Sequence, residues 1–265
     1  MTGKVIKIGA VAYDPKVVTI WEGMCKYFLE KGIATDYLLF SNYAAQVDAL
    51  FNRIIDIAWN TNVAFVRCEQ RAGGRCLALG MRNTDLDFTT RIVARRDRAV
   101  SSLQDLKGKR LALGSADSAQ AAIMPLYYLG KEGIDIRRDL DLVRFDLDVG
   151  KHGDTGGSEM AVLRALQDGA VDAGAVGHAV WLRELEQGHV NTGLLHSVWT
   201  SPPYSHCNFT ALPDFDHETA QIWPAALMAM DYNNPRWRRI MDLEGVTAWA
   251  PGSKEGYKDL LSALE

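Results

Sequence analysis

The chain has 265 residues, 48% of them apolar and 23% charged, the make-up of an ordinary globular protein with room for one large domain or two small ones. A net charge of −4 and the lack of a long basic run argue against nucleic acid as a partner. No window reaches the ~18 consecutive apolar residues of a membrane span.

The elements alternate between strand and helix. "KVIKIGAVA" (4–12) is a predicted strand. A helix follows over 14–32, with Asp14 as N-cap, Pro15 in its first position and Gly32 as its stop. Val17, Ile20, Trp21, Met24, Cys25 and Phe28 share one face at helical spacing, which marks Cys25 as core. "ATDYLLF" is the second strand, Ser41 or Asn42 caps the helix "YAAQVDALFN", "DIAWN" is a short buried strand, and a helix closes at Gly73-Gly74. "RCLALGM" and the "TRIVARRDR" stretch are strands, the latter with its arginines on a solvated face. "SLQDLKGKRLALG" leads into a strand, and "SADSAQAAIMPLYYLGKEG" into a helix with an internal Pro125. "LDLVRFDL", a helix over 159–167 and the short strand "VDAGAV" complete the middle.

Such βα alternation predicts mostly parallel sheets covered by helices. The stretches "VDALFNRIIDIAWN" (47–60) and "LRALQDGAVDAGAV" (163–176) share one plan: a helix, a turn, an Asp and a buried strand. This repetition predicts two α/β lobes, the first discontinuous over 1–88 and 200–265 and the second over 89–199. The opening residues lack the basic, apolar and cleavage-site order of a secretion signal. The chain is therefore expected to be cytoplasmic if Met1 is its native start, or periplasmic if a signal has been trimmed. The four cysteines contain no CxxC, so buried reduced thiols are expected and a thiolate metal site is not.

Small polar residues collect where predicted strands end, the place at which open α/β sheets bind ligands and helix N-termini favour anions. They are Tyr13; Ser41 and Asn42; Asn60 and Thr61; Ser115, Asp117, Ser118 and Gln120. The loop "VGKHGDTGGSE" (149–159) adds His152 and Asp154, with Thr155 or Ser158 as the expected cap of the next helix. His178 starts a helix after "VDAGAV", and Tyr204 and His206 lie in the return segment "SPPYSHCNFTALPDF". The four residues His152, Asp154, His178 and His206 match no metal spacing. Adjacent His206 and Cys207 are expected to point to opposite faces of a strand, and so not to act together.

The stretch "SLQDLKGKRLALGSADSAQAAIMPLYYL" resembles the second-lobe signature of type II periplasmic solute-binding proteins, closest to the phosphate/phosphonate branch. "YAAQVDALFNRIIDIAWNTNVAFV", "HGDTGGSEMAVLRALQDGAVDAGAV" and the return segment resemble the same branch in order along nearly the whole chain. The branch usually has Gly where this chain has Arg53 or Ile54. Its Ser-Thr-Ser-Gly run reads Asp117-Ser118-Ala119-Gln120 here: one hydroxyl is kept, a Gln replaces a small hydroxyl and an Asp sits beside it. The resemblance implies two hinged lobes and a small anionic ligand, such as a phosphonate, phosphate or related acid, bound in the cleft between them. It also implies ABC-transporter membrane subunits as partners, with no cofactor and no catalysis. Enzymes and ligand sensors built on the same scaffold are the alternatives.

Overall fold

In the computed structural model, residues 4–265 are described. In chain order the elements are β1 (Ile6–Val11), α1 (Lys16–Glu30), β2 (Thr35–Phe40), α2 (Tyr43–Phe51), β3 (Ile57–Asn60), α3 (Asn62–Arg71) and β4 (Leu77–Arg82). Then come β5 (Thr90–Arg95), β6 (Lys109–Leu113), α4 (Met124–Lys131), β7 (Leu140–Arg144), α5 (Gly157–Gln167), β8 (Ala173–Gly177), α6 (His178–Glu186) and β9 (Leu195–Thr200). The last are β10 (Asn208–Ala211), α7 (Thr219–Met228), α8 (Pro235–Glu244), β11 (Trp249–Pro251) and α9 (Lys258–Leu264).

Two compact units result. The first takes the chain up to Asp87 and returns for Ser205–Lys258; the second is Phe88–Tyr204 with Asp259–Glu265. The first lobe expected from the sequence includes everything after 200. The final helix instead counts with the second unit, where the Tyr128 hydroxyl donates to Asp259 Oδ2 at 2.6 Å.

The first unit's sheet runs β11-β4-β10-β3-β1-β2 and the second's β7-β6-β8-β5-β9. Both are mixed, yet most strands of each run one way, as expected: β10 and β11 in the first and β5 in the second run against the rest. β1 pairs in parallel with β2 and β3, and β6 with β7 and β8. β10 inserts antiparallel between β3 and β4, and β5 lies antiparallel between β8 and β9. Strand direction here is set by where the chain returns, which βα alternation does not encode.

The repeated Asp has one function in both units. Asp56 accepts the Lys7 N–H at 2.9 Å and its own N–H donates to Lys7 O at 2.8 Å, fixing β3 beside β1. Asp172 does the same for Arg110, at 2.9 and 3.0 Å, fixing β8 beside β6. The turn before each Asp needs a left-handed residue. Gly169 supplies it in the second unit (φ 75°), but in the first unit Arg53 does (φ 60°).

α1 buries Val17, Ile20, Trp21, Met24, Tyr27 and Phe28 against the first sheet. Phe28 stacks on Trp223 at 4.8 Å and Trp59 lies 4.4 Å from Phe209, which places the tryptophans in packing. Cys25, expected in this core, is only half-buried. Burial, helped by nearby Asp36, still pushes its thiol up to about 11. The second sheet is covered on both faces: Ile92, Leu111 and Leu113 pack on one side, Val93, Ala112 and Val176 on the other, following the two-residue alternation of a strand.

Candidate functional site

In the second unit β6, β7 and β8 run in parallel, so the turns that follow them share one edge. The turn after β6 is folded by the loop after β7. Ser115 spends its hydroxyl proton on Leu147 O. The Ala116 N–H donates to Asp146 Oδ1 at 2.7 Å, and the Gly150 N–H to Asp117 Oδ2 at 2.5 Å. Ser115 and Asp117 therefore first of all hold the 145–154 loop down. The glycine-rich stretch is a flap hydrogen-bonded over this turn.

The flap brings His152 inward. It is 2% exposed, has a left-handed backbone (φ 52°), and its Nε2 lies 4.0 Å from Asp117 Oδ2. Next to it Gly153 (φ +87°) lies so close to the β6 turn that an added Cβ would be 2.5 Å from Ser118 Oγ and 2.8 Å from Gln120 Nε2. Asp154 follows at the loop's half-buried end, its N–H bonded to Lys151 O.

Ser118 and Gln120 open the next helical segment, a π-helical turn over Ala119–Ile123 that continues into α4 with Pro125 in its first turn. Ser118 Oγ caps it by accepting the Ala121 N–H at 3.2 Å, which leaves the hydroxyl proton to be donated elsewhere. Gln120 Nε2 approaches Glu159 Oε2 at 3.4 Å, and Glu159 Oε1 accepts the Gly177 N–H at 2.5 Å. Glu159 is a buried carboxylate in the first turn of α5, where the helix dipole favours negative charge. The cap of α5 is the left-handed Gly156, not Thr155 or Ser158, although Thr155 Oγ1 does accept the Gly157 N–H at 3.3 Å.

Tyr204 and His178 complete this edge in different ways. Tyr204 is buried, its hydroxyl 3.2 Å from Thr90 Oγ1, and burial pushes its phenol far up, so it is neutral. Thr90 Oγ1 donates in turn to Gln120 O. His178 receives the Arg91 Nε–H on Nδ1 at 2.7 Å. Burial, reinforced by that guanidinium, lowers its pKa and leaves the ring neutral. Arg91 also donates to Ser197 Oγ at 2.9 Å, so it is not simply a solvated strand arginine.

In the first unit, the residues after β1, β2 and β3 likewise share an edge. Tyr13 is half-buried with Lys16 Nζ 5.8 Å from its ring, and Asp14 Oδ1 accepts the Lys16 N–H at 2.8 Å as the start of α1 requires. Asn42 caps α2 through Ala45, and Ser41 is exposed beside it. Thr61 caps α3 through Ala64. Asn60 is buried and spent internally: it accepts from Gln46 Nε2 at 2.8 Å and donates to Thr210 Oγ1 at 3.0 Å. That line continues through Asn208 and the Tyr257 hydroxyl to His206 O, a polar spine through the unit.

Beside the spine is a knot that sequence reasoning missed. Arg82 grips Asp85 with two bonds of 2.7 Å and reaches Glu244 O at 3.0 Å. Burial opposes charge on Asp85, but the Arg82 guanidinium and His206 outweigh it and hold the carboxyl far below its usual range. His206 Nδ1 lies 3.4 Å from Asp85 Oδ1 and 3.0 Å from Cys207 Sγ. The expectation that His206 and Cys207 diverge is thus overturned, because β10 begins only at Asn208 and the backbone before it is irregular. Asp85, His206 and Cys207 are the one set with metal-ligand spacing among the described residues. Its carboxylate is already neutralised by a guanidinium, and both neighbours share a single imidazole nitrogen. That arrangement suits a structural ion pair better than a cation or a nucleophile. His152, Asp154 and His178 belong to no such set among the described residues.

No helix among the described residues is long and apolar enough to cross a membrane. The chain matches, over residues 10–257, the family described as ABC transporter, phosphonate, periplasmic substrate-binding protein. It is 21% identical over 273 residues to the probable ABC transporter phosphite binding protein PhnD1 of Prochlorococcus marinus (strain MIT 9301), covering 97% of this chain and 88% of that protein. The structure of PhnD1 in complex with methylphosphonate superposes with a TM-score of 0.74 over 98% of this chain and 97% of that one, at 21% identity. XAC2383 from Xanthomonas citri bound to ATP gives 0.77 at 19% identity (99% and 97% covered), and the periplasmic aliphatic sulphonate binding protein SsuA from Escherichia coli 0.59 at 16% (99% and 83%). The two-lobed α/β architecture is thus shared with proteins whose ligands differ widely, while the match across 10–257 is what fixes kinship: the chain belongs to the family of periplasmic substrate-binding proteins of phosphonate ABC transporters.

Proposed function

We propose that this protein binds a small phosphorus oxyanion, a phosphonate or phosphite, and delivers it to the membrane subunits of an ABC transporter from the periplasm. The observation that carries the reading is the edge after β6, β7 and β8. There Ser118 spends only its acceptor side on capping, and a buried His152 is folded onto it by the glycine-rich flap. A hydroxyl proton, an imidazole and helix N-terminal N–H groups are the donor set that an oxyanion needs. Family membership, and a relative solved with methylphosphonate, support the same ligand class.

The residues assigned to the ligand are Ser118, Gln120, His152 and Tyr204 in the second unit. Tyr13, Ser41, Asn42 and Thr61 in the first unit are assigned as further contributors. Asn60, Ser115 and His178 are assigned supporting roles, because their polar atoms are committed to protein partners. His206 is assigned to the buried knot.

The test is isothermal titration with methylphosphonate and phosphite. His152→Ala is expected to weaken binding by about 1.5–3 kcal/mol, the range for a hydrogen bond to a charged group. Unchanged affinity in that variant would remove His152 from the site.

A further inference from the structure

The edge proposed to hold the anion contains buried acceptors as well as donors. Asp117 Oδ1 and Gln120 Oε1 are both buried without a hydrogen-bond partner, although Asp117 Oδ2 is satisfied by the Gly150 N–H. The orientation of the Gln120 amide is not arbitrary. Its Nε2 faces Glu159 Oε2, and turning it over would set two oxygens against each other. These groups are close together: Gly153 touches Ser118 and Gln120, and Asp117 precedes Ser118 and lies against His152. Ser158 Oγ is buried there too without a partner, and a hydroxyl can serve either role. Leaving a buried acceptor without a donor is unfavourable, and a site built only for ionised oxygens would present donors alone.

Resting on the oxyanion reading above, we propose that the site selects the singly protonated form of a phosphorus oxyanion, whose P–O–H donates to Asp117 Oδ1. The carboxylate is a stronger acceptor than the amide because its hydrogen bond is charge-assisted. The ionised oxygens take the Ser118 hydroxyl and the helix N-terminal N–H groups. A sulfonate carries the same single charge on the same tetrahedral shape but has no such proton. It leaves Asp117 unpaired and places one of its oxygens against a carboxylate. The site thereby separates two ligand classes that occur on this fold, since the neighbours include a sulphonate-binding protein.

Methylphosphonate and methanesulfonate are the matched probes, titrated calorimetrically into the full chain from pH 5.5 to 9. His152, Asp146, Lys151 and Asp154 on the loop after β7, Glu159 on α5, His178 on α6, Arg91 on β5 and Tyr204 are further ionisable groups of this edge. They act on both probes, so the ratio of the two affinities isolates the ligand proton. The expected result at pH 6 is methylphosphonate bound at least ~30-fold more tightly. That ratio should fall about tenfold per pH unit once the ligand has lost its second proton. Asp117→Asn, which offers an amide donor in place of the acceptor, is expected to shrink the ratio at pH 6 at least ~10-fold, with methanesulfonate gaining. The wild-type ratio and its pH profile decide the matter even if that variant does not fold. Methylphosphonate binding with a ratio within threefold that is flat with pH overturns the inference and leaves the oxyanion reading standing. Failure of both probes to bind overturns the two together.

Discussion

Gly153→Ala is the sharpest probe of how the flap meets the β6 turn. An L-residue at φ +87° carries a penalty of roughly 1–2 kcal/mol. The new methyl would also be 2.5 Å from Ser118 Oγ and 2.8 Å from Gln120 Nε2. Gln120 can swing its amide away, but Ser118 is short and held by the Ala121 N–H, so the flap has to lift, an overpacking cost of about 1–3 kcal/mol. Reduced freedom in the unfolded chain returns about 0.4–1 kcal/mol. The net loss is roughly 1.5–4 kcal/mol, a fall in melting temperature of about 3–7 °C for a chain of this length. Methylphosphonate affinity should fall at least ~10-fold with it. Gly156→Ala is the control: its φ is +67° but nothing lies within 4 Å, so only the backbone penalty applies and binding persists. Differential scanning calorimetry and titration read both quantities. A Gly153→Ala protein within ~0.5 kcal/mol of wild type and binding normally would refute the close contact between flap and turn.

Asp85→Ala should cost about 3–5 kcal/mol in urea unfolding, because it strips a buried guanidinium of its main partner. Asp85 has a folded pKa below its unfolded one, so its contribution is fully present above the ordinary carboxylate value near ~4 and is lost as pH falls toward the lowered value. The stability gap between wild type and Asp85→Asn should therefore be constant above about pH 5 and close in more acidic buffer; a gap that widens in acid would contradict this. Arg53→Gly should stay within about 1 kcal/mol of wild type, since relief of the left-handed backbone offsets an exposed ion pair with Asp214, while Arg53→Ala, which loses the pair and keeps the strain, should be less stable than Arg53→Gly. Burial pushes the Cys68 and Cys76 thiols up to about 12, so native protein at pH 8 should leave both unreacted with Ellman's reagent until it is unfolded.

What could be read from the sequence follows from what is local. The βα order, the caps at Asn42, Thr61 and Ser118, and the paired Asp56 and Asp172 depend on spacing and side-chain chemistry within a few residues. Depth and long-range partners are not local. Asn60 has the chemistry of a ligand residue, yet Gln46 and Thr210 consume it, the latter 150 residues away. Glu159 looks like an ordinary acidic first-turn residue until the Gly177 N–H buries it. Arg82 and Asp85 sit in a stretch with no apolar period, and only the fold shows them sealed against Glu244. His206 and Cys207 were set apart by strand geometry that starts one residue too late to apply.

Titration of the purified protein with methylphosphonate, in wild type and Ser118→Ala side by side, decides whether a phosphorus oxyanion is held at the Ser118–His152 edge as proposed. Saturable binding with one ligand per chain is expected in the wild type, and at least ~10-fold weaker binding in the variant, which loses a hydrogen bond to a charged group. No binding of methylphosphonate or phosphite at millimolar concentration, or equal affinity in the two proteins, would contradict it.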